Sequence, residues 1–493
     1  MAEQPVPLRL AVVGGGLTGL ATAHRLLELS AAAGRRIALT LFEANDHLGG
    51  VIATKQIGGY TVELGADSFI TNKPWGVQLC ERLGLADRLI PTDNTHRRSL
   101  VLRRGRPETV PEGFQLLSPV KIGPVLMSRI FSPWGKLRMA LEYFVPRRKQ
   151  QTDESLASFV RRRFGRETLD RLVQPLVGGI YTSDPEKLSL QATMPRFVEM
   201  ERDFGSLIRA LRSTKSVPGE RASGARYGLF ATLAGGIGEL LQTLEQRVRA
   251  GAEIRLGTRV ADLTPLNGNG QVAGAAQVDG SLYPHQGFQL SLADGTKAAF
   301  DAVVLTIAAP QISSLVRTFA AQAAGALAAI EYASTAIVVT GHKLADIRHP
   351  LDAFGLVIPA AEKRRVLAVS FTSRKFPNRA PAGCVQLRTF VGGAMQPELA
   401  ELPDHELRSL VRSELESLLG VSGTEDFCEI ARWRKAMPQY HVGHLERVEA
   451  IDQDLARHPR LALAGNAYRG VGIPDCIHSA EQAAERVWRG LQP

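Results

Sequence analysis

At 493 residues the chain exceeds one core of ordinary size, so two or three domains are expected, and 44% hydrophobic with 22% charged residues excludes a disordered chain. The net charge of +10 favours acidic partners, yet only 6% of residues are aromatic and none alternates with the arginine clusters at 97–106 and 161–163, which excludes a nucleic-acid surface built on base stacking. The four cysteines, Cys80, Cys384, Cys428 and Cys476, form no C-x-x-C pair, which excludes a zinc, iron–sulfur or disulfide framework, and no apolar run reaches the roughly 18 residues of a spanning helix.

In chain order, Leu8–Val13 reads as a short apolar strand, 17–29 as a helix through the spacing of Leu20, Ala23, Leu26 and Leu27, and Ile37–Phe42 as a second strand. Gly14, Gly16 and Gly19 fall between that strand and helix in a G-x-G-x-x-G pattern. Gly14 permits the tight turn, Gly16 lets the backbone approach a pyrophosphate, and Gly19 allows close contact of helix and strand, while the helix N-terminus offers partial positive charge. Glu43 ends the second strand, where a carboxylate accepts ribose hydroxyls. The pattern alone is weak; strand, helix and terminal acid together reject an incidental glycine-rich turn and mark a dinucleotide site.

Helices are expected over 129–211, with 156–173 carrying apolar residues at 156, 159, 160, 169, 172 and 173. Turn signals make 216–226 a connector. From 252 to 307 the pattern is strand-like, with a hairpin at Asp294-Gly295 and a buried strand at 302–307. Near the end, 461–464 reads as a strand and 475–488 as a helix presenting Ile477, Ala480, Ala484 and Val487 on one face, so both ends of the chain contribute to one nucleotide-binding domain.

Leu48-Gly49-Gly50, V-E-L-G-A-D-S-F at 62–69, P-L-V-G-G-I-Y at 175–181, A-G-G-I-G-E-L at 234–240, R-W-R-K-A-M-P-Q-Y-H-V-G-H at 432–444 and G-V-G-I-P-D-C-I at 470–477 resemble the flavoprotein amine oxidase superfamily. The last two stretches resemble its protoporphyrinogen and coproporphyrinogen oxidase branch, in particular the soluble bacterial enzymes. The resemblance implies an α/β fold of the amine oxidase / p-hydroxybenzoate hydroxylase type: a Rossmann-like FAD-binding domain (1–75, 227–306, 432–493), a mixed-sheet substrate domain (76–96, 307–431) and a mainly helical domain (97–215).

It further implies noncovalent FAD. Carried over by position, Gly14, Gly15, Gly16, Leu17, Thr18 and Gly19 meet the diphosphate, Glu43 and Ala44 the adenosine ribose, and Val260 the adenine. Gly49, Gly50, Gly65, Ala66, Asp67, Ser68, Trp433, Val471, Gly472 and Ile473 fall at the flavin end. Pro474 and Asp475 begin a helix whose N-terminal partial charge can stabilise a reduced flavin. Lys73 or Arg98 is implied as the propionate anchor, the choice left open, and a backbone carbonyl near Gly179 as the proton acceptor. Three rounds of hydride removal, with oxygen as acceptor and hydrogen peroxide as product, would convert a porphyrinogen to a porphyrin without a side-chain base. The four propionates of coproporphyrinogen suit the basic balance better than protoporphyrinogen does.

The same scaffold would serve an amine oxidase, a carotenoid desaturase or a noncatalytic flavin- or porphyrin-binding protein. Cys476 reads as a buried thiol rather than a flavin attachment point, and the H-x-x-H of His441 and His444 lacks a third ligand, so no metal is expected. A cytoplasmic monomer or homodimer is expected, handing product to a ferrochelatase, with no nucleic acid and at most peripheral contact with the inner face of the membrane, since 1–16 lacks a secretory pattern.

Overall fold

The computed structural model describes residues 6–111, 114–115, 118–119, 122–150, 152–213, 229–267 and 287–492; the expected connector 216–226 lies outside them. The first layer grows from short apolar runs. Ala252–Arg255, Ile37–Phe42, Leu8–Val13, Ala302–Leu305 and Leu461–Leu463 lie in that order in a five-stranded, wholly parallel sheet. Parallel strands are buried on both faces, which is why Ala302–Leu305 and Leu461–Leu463 are continuously apolar, while the edge strand Ala252–Arg255 carries Glu253 and Arg255.

One face buries Leu10, Val12, Leu39, Leu41 and Val304 against the helices Leu17–Ala33, Gly238–Arg249 and Ile473–Gly490. The other buries Ala11, Val13, Phe42, Val303 and Leu305 against an antiparallel meander, Val260–Leu266, Gly287–Leu292 and Lys297–Phe300, and the helices Ala309–Val316, Ala321–Ala328 and His444–Leu455. The meander turns at Asp294-Gly295, where Gly295 takes φ +86°. The Rossmann-like unit draws on both chain ends.

A second, seven-stranded mixed sheet runs Phe427–Pro438, Tyr332–Lys343, Cys384–Gly392, Ala368–Phe371, Gly355–Val357, Leu100–Arg103, Arg106–Thr109. Helix Asp404–Leu419 covers one face through Leu407, Leu410, Val411 and Leu415. The hairpin 100–109 therefore belongs to this sheet, although the resemblance assigns 97–215 to a mainly helical domain. Its alternation explains the placement: Leu100 and Leu102 point into the sheet's core, whereas Val101 points into the helical core.

Helices Pro133–Ala140, Leu156–Phe164, Gln174–Tyr181, Pro195–Phe204 and Leu207–Ser213 surround Phe159, Val160, Phe164, Leu172 and Val177. Ser132, Ser155 and Ser189 cap helix N-termini with their hydroxyls. The run 156–173, periodic as one helix, breaks at Gly165 (φ +91°) and resumes through a π-helical turn, Leu169–Val173. Val357 and Val471 border this helical core, which links it to both sheets.

Candidate functional site

The glycine loop at the end of Leu8–Val13 divides its steric duties. Gly14 holds φ +111°, which side-chain-bearing residues rarely adopt, and a Cβ on Gly19 would stand 1.8 Å from the Gly14 carbonyl oxygen. At Gly16, by contrast, a Cβ meets only the Gly50 Cα, at 3.8 Å, so the space in front of this residue is open. Gly16 is the N-cap of helix Leu17–Ala33; no side chain caps that end and its first turn holds no acid. An open cradle before an uncapped helix N-terminus fits a diphosphate.

The walls of the cradle are tied together. Gly49 N–H donates to the Gly15 carbonyl at 2.9 Å, bringing Gly49 and Gly50 beside Gly16. Glu43 Oε2 accepts from Gly15 N–H at 2.6 Å, while Oε1 accepts from the Asn45 backbone and side chain at 2.8 and 2.7 Å. The carboxylate is thus aimed back at the loop, with Ala44 next in the chain. Val260 is buried in the core beneath the end of the same strand, together with Phe42.

The residues expected at the flavin end come from three distant segments, which the fold brings together pairwise. Trp433 Nε1–H donates to the Leu64 carbonyl at 2.7 Å, joining the strand Phe427–Pro438 to the loop 65–68. Gly65 in that loop has the Val51 carbonyl oxygen where its Cβ would be, 1.9 Å away. Val471 and Gly472 lead into helix Ile473–Gly490, whose N-cap Gly472 lacks a side-chain cap. Tyr440 buttresses this turn: its hydroxyl donates to the Asn466 carbonyl at 2.6 Å and accepts from Gly470 N–H at 2.9 Å.

Both candidate anchors are already paired. Lys73 Nζ meets Asp475 Oδ1 at 2.6 Å, in the first turn of helix Ile473–Gly490, so a neutralised carboxylate accompanies the helix dipole there. Arg98 Nη1 meets Asp352 Oδ2 at 3.1 Å, an exposed pair. The exposed Arg98 pair contributes little, whereas Asp475 is only 12% exposed and holds Lys73 in a partly buried pair. Gly179 occupies the last turn of helix Gln174–Tyr181, where carbonyls lack intrahelical donors. Its nearest foreign neighbour for a Cβ is Val357, at 3.9 Å.

The profile of the family described as "Flavin containing amine oxidoreductase" matches residues 17–488. The chain belongs to that family. It is 34% identical over 516 residues to a coproporphyrinogen III oxidase of Propionibacterium freudenreichii, covering 97% of this chain and 90% of that protein. It is 32% identical over 474 residues to the coproporphyrinogen III oxidase of Bacillus subtilis (strain 168), covering 96% of each. A solved structure from Exiguobacterium sp. 255-15, provisionally named a protoporphyrinogen oxidase, superposes with a TM-score of 0.83 at 28% identity over 99% of this chain and 100% of that one.

A flavin-dependent oxidoreductase by family, the protein also carries a buried charge network that sequence reading missed. Arg388, 2% exposed, pairs through Nη1 with Asp67 Oδ2 at 2.9 Å and donates through Nη2 to the Gly65 carbonyl. Lys375 Nζ reaches Asp67 Oδ1 at 3.1 Å and Ser68 Oγ at 2.9 Å. Burial alone would raise the Asp67 carboxyl, but Lys375, Arg388 and the Ser68 hydroxyl outweigh it and hold the group well below the ordinary carboxylate range. Two cations thereby fix the loop 65–68. The available signal was the alternation in Val385-Gln386-Leu387-Arg388: Val385 and Leu387 face the sheet's core, which leaves Gln386 and Arg388 on the opposite face, toward the loop.

His441 and His444 serve other ends. His444 stacks on Tyr440 at 3.9 Å between ring centroids, and its Nε2 meets the Tyr468 carbonyl at 2.8 Å; burial holds its pKa down at about 4. His441 stands 3.6 Å from Glu331.

Proposed function

We propose that this flavoprotein oxidises a porphyrinogen to a porphyrin in haem biosynthesis, with coproporphyrinogen III as the preferred substrate over protoporphyrinogen IX, FAD held noncovalently and oxygen as electron acceptor. The observation that carries the reading is the end-to-end likeness to coproporphyrinogen III oxidases in a chain with an open cradle at Gly16. Noncovalent binding is supported by Cys476, whose buried thiol is pushed up to about 12 and is therefore a poor nucleophile.

When bound, FAD would supply the hydride acceptor for a bridging methylene of the macrocycle, with oxygen as the terminal oxidant. The protein's own groups bind and orient. Backbone N–H groups of Gly16, Leu17 and Thr18 hold the diphosphate, Glu43, which also ties down the Gly15 N–H, holds the ribose, and Val260 packs the adenine. Gly49, Gly50, the loop Gly65, Ala66, Asp67 and Ser68, Trp433 and the turn Val471, Gly472, Ile473 frame the flavin. The carbonyl of Gly179 accepts a hydrogen bond from the pyrrole N–H and orients it, and the proton leaves to water.

No named side chain near this loop is poised as a base at neutral pH. Asp67 is locked between cations, burial pushes Tyr181 up to about 12, and burial lowers His444 to about 4, which makes it a weak base. Rate acceleration then rests on placement rather than general-base chemistry. Of the two anchors Lys73 is favoured, because its partner Asp475 lies three residues after Gly472 at the flavin end, whereas Arg98 pairs with Asp352 beside the mixed sheet. The product needs metal insertion, the chemistry of a ferrochelatase.

Steady-state turnover with each porphyrinogen, read by porphyrin fluorescence and peroxide release, tests the substrate. A higher kcat/KM for coproporphyrinogen III is expected; a preference for protoporphyrinogen IX would reverse the assignment, and turnover of amines but neither porphyrinogen would overturn it.

A further inference from the structure

Charge around the loop 65–68 does not balance. Asp67 is met by two cations, Arg388 at 2.9 Å and Lys375 at 3.1 Å. A third, Arg379, is 1% exposed and donates to the Leu233 and Ala234 carbonyls and the Thr232 hydroxyl; Asp67 and Glu63 act on it only at longer range. Glu63 itself is taken up by the Thr54 hydroxyl at 2.6 Å and the Ile237 N–H at 2.8 Å. Among the described residues of this cluster, three cations thus face two carboxylates.

The surroundings do little to relieve the excess. Lys375 Nζ lies 5.5 and 5.1 Å from the ring centroids of Phe230 and Phe376, and the Arg388 guanidinium 5.3 Å from that of Phe390. The Nε groups of Arg379 and Arg388 are buried without a hydrogen-bond acceptor. Buried charge left uncompensated is costly, so a cation excess kept at one place implies an anion that forms there in use. A substrate carboxylate does not suit. Arg388 is 2% exposed, with its Nη groups on Asp67 and the Gly65 carbonyl, while Lys375 is held by Asp67 and Ser68. The excess therefore acts through the low-dielectric interior rather than by touch. Its place is the wall of the cofactor cradle: Gly50 Cα lies 3.8 Å from a Cβ built on Gly16, and the next carbonyl oxygen, of Val51, 1.9 Å from one built on Gly65.

We propose that the excess cation of the Lys375–Asp67–Arg388 cluster stabilises the negative charge that FAD gains on reduction, so that Lys375 sets the reduction potential of the bound flavin. Hydride brings two electrons and one proton, which leaves the ring with one negative charge; a net positive charge beside the loop 65–68 favours that form over the neutral oxidised ring. Lys375 and Arg388 lie on the short helix Thr372–Lys375 and the strand Cys384–Gly392, so their charge adds independently to that of the uncapped N-terminus of helix Ile473–Gly490. The inference rests on the flavin frame proposed above and not on the choice of porphyrinogen.

The test uses the full flavin-loaded chain. Lys375→Met leaves Asp67 in an even pair with Arg388 and removes the excess, and Lys375→Gln does the same while keeping a donor for Ser68. Both should retain FAD and the wild-type melting temperature. Their midpoint potential, measured by anaerobic equilibration with reference dyes, should fall by about 30 mV, a tenfold change in the ratio of oxidised to reduced flavin. Sulfite gives a second readout free of substrate and oxygen: its sulfur lone pair bonds to flavin N5 and leaves the ring negatively charged, so its dissociation constant should rise about tenfold. Lys375→Arg keeps the charge and should restore both values. Unmoved potential and sulfite affinity in the neutral variants overturn the inference and leave the flavin frame standing. So does a raised KM for porphyrinogen at unchanged potential, which would make the cluster a substrate anchor. Loss of FAD from both neutral variants, or equal shifts in Lys375→Arg, would give Lys375 a packing role instead. A wild-type chain that binds no FAD overturns the frame together with the inference.

Discussion

Replacing Gly16 with valine should separate flavin binding from folding. Gly16 has φ −72° and ψ −177°, extended backbone that any residue adopts, and a Cβ there meets only Gly50 Cα at 3.8 Å. The apoprotein therefore accommodates valine without strain. The two γ-methyls project into the open cradle and hold a diphosphate away from the uncapped helix N-terminus. Losing two charge-assisted backbone bonds, each about 1.5 kcal/mol or more, removes at least about 3 kcal/mol, a weakening on the order of a hundredfold or more. FAD at a thousand times its Kd stabilises the wild type by about 4 kcal/mol, so the variant should melt with wild-type apoprotein and below wild-type holoprotein.

Flavin absorbance per protein, calorimetric titration of apoprotein with FAD and thermal melts measure these terms separately. Gly19→Ala is the control for strain, because its Cβ falls 1.8 Å from the Gly14 carbonyl oxygen; it should destabilise the apoprotein itself by about 3 kcal/mol. Full flavin content with wild-type affinity in Gly16→Val would refute the cradle, and a variant that fails to fold would show that the space in front of Gly16 is not open.

Three other outcomes follow from the site. Asp67→Asn leaves Arg388 and Lys375 buried without their carboxylate and should cost roughly 3 kcal/mol in urea unfolding, with loss of flavin. Because the folded Asp67 pKa is depressed, its stabilisation is present above the unfolded value near ~3.9 and lost only as pH falls below it; Asp67→Asn should remove that acid limb while leaving the slope above pH ~5 unchanged. His444 has the opposite placement: its pKa falls from 6.5 to about 4 on folding, so the unfolded chain binds more protons between those values and stability declines as pH drops through that window, by up to about 3 kcal/mol. His444→Phe keeps the stack on Tyr440 and should flatten unfolding free energy between pH 6.5 and 4. Lys73→Met should raise KM for coproporphyrinogen about tenfold and spare flavin content, with Arg98→Met closer to wild type; the reverse order would move the anchor to Arg98.

What the sequence made legible was local. Leu8–Val13, the helix after it and Ile37–Phe42 are adjacent in the chain, so periodicity and three glycines suffice to place the loop, and Asp294-Gly295 announces its own hairpin. Pairing across long separations left no such trace. Leu100–Arg103 joins the mixed sheet through Gly355–Val357, a parallel register that no short pattern encodes, and Lys73 finds its partner 402 residues away in Asp475. Gly165 was present in the periodic run 156–173, but its power to end the helix depends on the core around it. Arg388 and Lys375 belong to no motif, and only the fold brings the strand Cys384–Gly392 and the short helix Thr372–Lys375 to the same carboxylate, Asp67.

Anaerobic mixing of the flavin-loaded protein with coproporphyrinogen III addresses the function with the fewest intervening steps. The account requires the yellow flavin band to bleach as porphyrin fluorescence grows, and to return when oxygen is admitted. A band that stays yellow in the presence of saturating porphyrinogen would make the protein a binder and contradict it.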